Sequence, residues 1–338
     1  MTKIYIIAEA GINHNGDLNI AKQMILEAKQ CGADCIKFQT FRANEFISDS
    51  NQLYSYKSQG VEVIEPMLDM FKRCEFNQDQ WVKLIEVCNN VGIDFCSTAQ
   101  NITDLNYLIN IVDLPFIKVG SDDLTNLELL EYYSKQNKPM IISAGMAYAY
   151  EIEDAVRTIR NTGNSDITVL HCVSLYPANS EDINLSKIPI IKNAFGVNVG
   201  FSDHTIGSAA AIGAVCFGAT VIEKHFTLDI NLPGPDHWFS IPVSDLKKFV
   251  NDVRFIEKAI GYPQLMPSPN EIIMRNVMQR KIVYSKTLSK DDILRENDIE
   301  FKRTGSNGLD PKQKKFIIGR HLSRSVQQGE PVNLTDFI

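Results

Sequence analysis

Residues 220–226 read TVIEKHF, a β-branched run with two charged residues and a histidine at its end. Runs of this kind form strands. Successive side chains of a strand face opposite sides, so Glu223 and His225 share one face and Lys224 takes the other. Charged groups inside a buried strand need partners or a cavity. A closed (β/α)8 TIM barrel supplies one, because its reacting groups stand where the strands end.

Seven similar runs precede this one: 4–9 (IYIIAE), 34–39 (DCIKFQ), 93–98 (IDFCST), 115–119 (PFIKV), 140–143 (MIIS), 167–172 (ITVLHC) and 198–202 (NVGFS). Between them lie amphipathic stretches such as 18–31, 78–91 and 206–217, with Gly32, Gly92 and Gly218 where helices should stop. Eight βα units over about 250 residues predict an α/β TIM barrel for residues 1–260. A doubly wound sheet is the competing arrangement, but no G-x-G-x-x-G follows any strand. Residues 261–279, with GYPQLMPSPNE, read as a linker, and 280–338 as a small, mostly β appended domain.

Composition excludes several classes. Apolar residues make up 44% of the 338 and charged residues 22%, as in packed globular proteins. No apolar run reaches the ~20 residues that span a bilayer, and no signal-peptide pattern opens the chain. Net charge is −7, the wrong sign for a general nucleic-acid binder. From Arg280 onward twelve Lys/Arg stand against eight Asp/Glu, so a +4 tail follows a −11 body. Seven scattered cysteines without a C-x-x-C pair fit core packing in a reduced cytoplasm.

All eight expected strands end in polar residues: Glu9; Lys37 and Gln39; Ser97 and Thr98; Lys118 and Ser121; Ser143; His171; Ser202, Asp203 and His204; Glu223 and His225. His204 and His225, from neighbouring strands with oxygen donors nearby, suit a borderline divalent ion such as Mn²⁺, Co²⁺ or Zn²⁺; hydrogen-bonded structural histidines are the alternative. Lys37 and Lys118, with Thr98, Ser121, Ser143 and Ser202, form a candidate anion cradle for a phosphate-bearing substrate; structural neutralisation of Glu9 or Glu223 is the alternative.

These residues carry a resemblance. AEAGINHNGD (from Ala8), IKFQTF (from Ile36), FCST (from Phe95), IKVGS (from Ile117), IISAGM (from Ile141), LHCVSLYP (from Leu170), GFSDHT (from Gly200), VIEKHFTLD (from Val221) and GPDH (from Gly234) together resemble the sialic acid synthase family, the N-acetylneuraminate and legionaminic acid synthases. QRKIVYSK, KRTGSNGL and IIGR resemble that family's antifreeze-like (SAF) domain. The resemblance implies condensation of phosphoenolpyruvate with an N-acetylated mannose-type sugar to a nine-carbon 2-keto acid, with a divalent ion such as Mn²⁺ or Mg²⁺. His204 and His225 would hold the metal. Lys37, Thr98, Lys118, Ser121, Ser143 and Ser202 match phosphoenolpyruvate-side positions, and Glu9, Gln39, Asp123, Tyr176 and Asp236 the sugar side. Glu223 is a candidate for proton handling. Arg303 matches an arginine that enters a partner's barrel in a domain-swapped homodimer.

The chain departs from the family pattern at Ala99-Gln100 (Thr98-Ala99 stands where the family has Thr-Pro), at Asp122-Asp123 (for Gly-Glu) and at Thr304 (for Pro). These changes leave open an acceptor other than N-acetylmannosamine, such as a 2,4-diacetamido-6-deoxy analogue. Two rivals remain at this level. One is a synthase of shorter keto acids, or an aldolase using Lys37 or Lys118 as a Schiff base, on the same barrel. The other is a non-catalytic carbohydrate-binding protein.

Overall fold

Eight strands form one parallel sheet in the computed structural model, which describes residues 3–338. They are β1 (Tyr5–Gly11), β2 (Cys35–Thr40), β3 (Asp94–Ala99), β4 (Ile117–Val119), β5 (Met140–Ser143), β6 (Ile167–Cys172), β7 (Asn198–Asp203) and β8 (Val221–Thr227). Their order around the sheet is β3-β2-β1-β8-β7-β6-β5-β4. β3 and β4, the two ends of this path, lie side by side and bring the ring nearly to closure, so the expected barrel is present. The sequence reading of the strands is displaced by a residue or two at several ends. β1, for instance, runs past Glu9 to Gly11 through an irregularity in its pairing with β2, a bulge of the kind that re-aims side chains beside a site.

Helices α1 (Leu18–Cys31), α2 (Gln78–Val91), α3 (Ile102–Ile111), α4 (Leu127–Ser134), α5 (Ala149–Asn161), α6 (Lys187–Phe195), α7 (Ala209–Cys216) and α8 (Val243–Ala259) follow the strands in turn. α1 and α2 span the expected residues and end at Gly32 and Gly92, both left-handed, where a side chain would be strained. α7 begins later than expected, because Gly207 turns the chain with a φ of 83°.

Two hydrophobic layers result from strand alternation. Outward residues such as Ile6, Phe38, Val169, Phe201 and Ile222 pack against the helices. Inward residues Ile7, Cys35, Cys96, Phe116, Ile141, Leu170 and Val221 plug the barrel. On β7 the plug position belongs to Gly200. A Cβ there would lie 2.4 Å from Leu170 Cδ2 and 2.6 Å from Val221 O. The plug is packed so closely that one strand contributes no side chain to it.

The chain forms two compact units, Met1–Gly261 and Tyr262–Ile338. In the second, strands Lys281–Tyr284 and Ile299–Lys302 pair antiparallel over a small core of Ile282, Tyr284, Leu294, Ile317 and Val332. The stretch read as a linker carries a helix over Pro269–Met278, which Ser268 caps and Pro269 starts. Among the described residues no helix is long and apolar enough to cross a membrane.

Gly200→Ala tests the plug. The added methyl should overpack it and cost about 1–3 kcal/mol, read as a lower Tm in thermal unfolding. An unchanged Tm would mean that β6, β7 and β8 are not so closely fitted.

Candidate active site at the barrel mouth

Each plug residue is followed, two positions further along its strand, by a side chain on the same face. Ile7 leads to Glu9, Cys35 to Lys37 and Gln39, Cys96 to Thr98, Phe116 to Lys118, Ile141 to Ser143, Leu170 to Cys172, Gly200 to Ser202, and Val221 to Glu223 and His225. These inward residues line a cavity of about 780 Å³. Lys224, between Glu223 and His225, faces outward, where it pairs with buried Asp203 at 3.0 Å and lies over Phe249.

Four opposed charges meet at the cavity floor, almost sealed from water. Lys37 Nζ lies 2.7 Å from Glu9 Oε2 and 3.7 Å from Glu223 Oε2. Lys118 Nζ lies 3.9 Å from the same Glu223 oxygen and donates to Ser143 Oγ at 2.8 Å. Lys37 also donates to Thr98 Oγ1 at 3.1 Å, and Ser202 Oγ donates to Glu223 Oε1 at 3.0 Å. The two carboxyls are driven apart. Burial lifts Glu9 to about 7 against the pull of Lys37, with the Glu223 charge adding to the rise. Burial also acts on Glu223, but Lys118 and Lys37 outweigh it and hold that carboxyl below its usual range. Burial depresses Lys118, whereas Glu223 and Glu9 outweigh burial at Lys37 and raise it. Paired carboxyls separated in this way are the arrangement that acid–base chemistry uses.

Beside them stand the two imidazoles, ring centroids 5.5 Å apart. His204 Nδ1 lies 2.7 Å from Val173 O, so it carries the proton and leaves Nε2 with a lone pair. His225 Nδ1 is buried without a hydrogen-bond partner, 4.0 Å from Asp236 Oδ2. Burial lowers the pKa of both rings, so they are neutral at pH 7. Burial also raises Asp236 to about 7. Tyr176 and Phe239 wall the imidazoles in, with Tyr176 4.2 Å from His204 and Phe239 5.4 Å from His225. No group of three or more His, Cys, Asp or Glu side chains is arranged to hold an ion among the described residues. Two imidazoles, with His225 Nδ1 left without a hydrogen-bond partner, are the nitrogen donors that line this cavity.

The loops explain the Asn-His-Asn-Gly run. Asn13 Nδ2 donates to Phe226 O and Ser240 Oγ, both at 2.9 Å. Asn15 Nδ2 donates to Pro233 O at 2.7 Å and meets His237 Nε2 at 3.1 Å. His14 stacks on Phe76 with ring centroids 4.2 Å apart. These contacts stitch the loop after β1 to the Gly-Pro-Asp-His loop after β8 and bring Asp236 to the mouth. The approach is close: a Cβ on Gly234, whose φ is 143°, would lie 2.8 Å from Asn15 Oδ1.

Glu9, Lys37, Gln39, Thr98, Lys118, Ser121, Ser143, Tyr176, Ser202, His204, Glu223, His225 and Asp236 all line this cavity. Asp123 does not; it accepts from Asn126 at 3.4 Å, and its neighbour Asp122 lines the cavity instead. Arg303 lies in the second unit, exposed, its Nε donating to Met278 O at 3.2 Å. His171, at a strand end, faces the helix layer and lies 2.5 Å from Ile183 O. Cys172, expected in the core, faces the cavity because it stands two residues above Leu170.

Sequence reasoning missed one whole wall. Strands Leu53–Ser58 and Val61–Pro66 form a hairpin whose Tyr54, Ser55, Tyr56 and Lys57 line the cavity. Its turn residues Gln59 and Gly60 both have positive φ, as two-residue hairpin loops require. The Tyr-Ser-Tyr-Lys-Ser alternation before Gln59-Gly60 was the available signal. Ser58 Oγ accepts from Gly234 N at 3.0 Å, and Lys57 lies over Trp238 at 5.2 Å, so the tip is tied to the loop after β8.

Known proteins share this architecture. The chain is 35% identical to the N,N'-diacetyllegionaminic acid synthase of Legionella pneumophila over 96% of this chain and 92% of that one. It is 38% identical to an uncharacterized protein of Methanocaldococcus jannaschii, MJ1065, over 99% and 94%. The crystal structure of N-acetylneuraminic acid (sialic acid) synthetase from Leptospira borgpetersenii, in complex with citrate, superposes with a TM-score of 0.72 at 35% identity, covering 82% of this chain and 93% of that one. The NeuB family model matches residues 24–264. With that match and this similarity along nearly its whole length, the chain belongs to the NeuB family of sialic-acid-type synthases, enzymes that form a carbon–carbon bond.

Proposed function

We propose that this protein condenses phosphoenolpyruvate with the open-chain aldehyde of an N-acetylated mannose-type sugar, giving a nine-carbon 2-keto acid and inorganic phosphate. One observation carries the reading. Two ammonium groups that can take an anion share a water-poor cavity with two carboxyls of opposed pKa shift and two neutral imidazoles.

Lys37 and Lys118 receive the carboxylate and phosphate of phosphoenolpyruvate, with hydroxyls from Thr98, Ser121, Ser143 and Ser202 around them. Ser121 Oγ already accepts from Gly145 N–H at 3.0 Å, which fixes one of these groups. The sugar lies toward Gln39, Tyr176 and Asp236. His204 and His225 would hold a divalent ion, which when bound supplies Lewis-acid polarisation of the aldehyde oxygen. Carbon three of the enol attacks the aldehyde carbon, whose oxygen takes up a proton. Water adds to carbon two and loses a proton. The C–O bond to phosphate then breaks, leaving the 2-keto group. Glu9, half-protonated near pH 7, is placed to exchange these protons, while ionised Glu223 keeps both lysines charged.

The test is phosphate release from phosphoenolpyruvate with Mn²⁺ and a panel of N-acetylated mannose-type aldehydes. With ¹⁸O in the bridging position, the label should leave in phosphate. Label in the keto acid, or no phosphate with any acceptor, overturns the proposal, and trapping of pyruvate by borohydride on Lys37 or Lys118 would point to an aldolase. His225→Ala should lose bound metal and turnover together, by elemental analysis and assay; metal retained in full removes His225 from the ligand set. Glu9 is neutral below about 7 and charged above it. If it donates a proton, kcat should fall as pH rises through 7, and Glu9→Gln should lower kcat and remove that limb. Asp236→Asn should keep the limb, although Asp236 is also raised to about 7.

A further inference from the structure

Among the described residues, one ion pair outside the cavity floor has both side chains almost wholly buried: Lys224 Nζ and Asp203 Oδ2, 3.0 Å apart. Both face the helix layer, and each directly precedes a cavity histidine in the sequence. β7 and β8 pair with Ser202 beside Glu223 and Asp203 beside Lys224, so the ion pair joins register partners. A slip of one residue between these strands would part the charges and turn side chains to the wrong face.

Both residues also grip the turn behind His204. Asp203 Oδ1 accepts from Thr205 N–H at 2.9 Å and from the Thr205 hydroxyl at 2.7 Å, and Lys224 Nζ donates to Thr205 O. His204 therefore stands between two anchored residues. Its own carbonyl accepts from Ala178 N–H at 2.9 Å, and its Nδ1–H donates to Val173 O at 2.7 Å. Stability alone does not account for the pair, since apolar residues of similar volume often replace a buried ion pair without loss. What the pair supplies is direction: a register fixed on one side of the wall sets the two rings on the other.

We infer that Asp203 and Lys224 are positioning residues, which from the outer side of the barrel wall hold the His204 and His225 imidazoles side by side in the cavity. What the rings then do for the substrate rests on the function proposed above; their placement does not.

The experiment uses full-length wild type, Asp203→Asn and the double variant Asp203→Leu/Lys224→Met, which removes both charges together. Three quantities are measured: Tm, the affinity of the metal-free protein for Mn²⁺, and, also without metal, the hydrogen-exchange rate of the His204 Nδ1–H signal by NMR, assigned by its absence from His204→Gln. The double variant should keep its Tm within a few degrees. It should bind Mn²⁺ about 10–100-fold more weakly, the usual loss when an outer partner of a metal ligand is removed, and exchange the His204 proton faster. Asp203→Asn keeps the shape of Asp203 and its acceptor for Thr205, so it should fold and show the same changes to a smaller degree. It carries the test if the double variant unfolds. A lower Tm with unchanged Mn²⁺ affinity and unchanged exchange makes the pair a brace only and overturns the inference, as does wild-type behaviour in all three. Absence of phosphate release from wild type with every acceptor overturns the proposed function and leaves this test in force. If wild type takes up no Mn²⁺, the metal assignment falls and the exchange rate alone decides.

Discussion

Charge balance inside a dry cavity is the constraint on which the rest of this barrel depends. Glu9, Lys37, Lys118 and Glu223 are each 5% exposed or less. Removing any one would leave a buried charge uncompensated, a change that typically costs about 3–5 kcal/mol. Hydrophobic residues of the same volume would fill the space at lower cost. Under the function proposed above, an incoming anion takes over the lysines from the carboxyls. The splitting of Glu9 and Glu223 follows from the same geometry, since Glu223 faces both ammonium groups and Glu9 chiefly one.

The barrel makes such a cluster possible by stacking it on hydrocarbon. Ile7, Phe116, Ile141, Leu170 and Val221 close the lumen below, and the polar layer begins two residues later on each strand. Hydrocarbon covers the charges from beneath, so they open toward the mouth. Strand alternation also separates functions on β8. Glu223 and His225 serve the cavity, while Lys224 neutralises Asp203 in the helix layer, where Asp203 accepts from Thr205 N–H and Oγ at 2.9 and 2.7 Å and so fixes the turn that carries His204.

Loops complete what the strands begin. The Asn-His-Asn-Gly segment has the composition of a catalytic motif, yet its side chains act as braces between the loops after β1 and β8. Burial keeps His14 neutral with a pKa of about 3, which suits a stacked, structural ring. The bracing places Asp236 close to Gly11, where an added Cβ would lie 3.4 Å from Asp236 Oδ2 and 3.3 Å from Glu9 Oε1. A left-handed glycine with no side chain leaves room for two carboxyls, one from β1 and one from the loop after neighbouring β8.

Much of this was legible in the chain itself. Period-two alternation is local, so Glu223 and His225 could be set on one face, and Lys37 with Gln39 on another, before any coordinates. Eight βα repeats imply a ring, and polar strand ends imply where its mouth lies. Long-range choices were not legible. Nothing in Asp122-Asp123 tells which carboxyl enters the cavity, because the turn before α4 gives Asp123 to Asn126. Nothing in Tyr-Ser-Tyr-Lys-Ser tells that a hairpin folds back to meet the loop after β8. His171 and His225 look alike as strand-end histidines, yet one faces a helix carbonyl and the other the cavity. Covalent spacing decides which residues share a face; only packing against distant segments decides which face meets water, substrate or hydrocarbon.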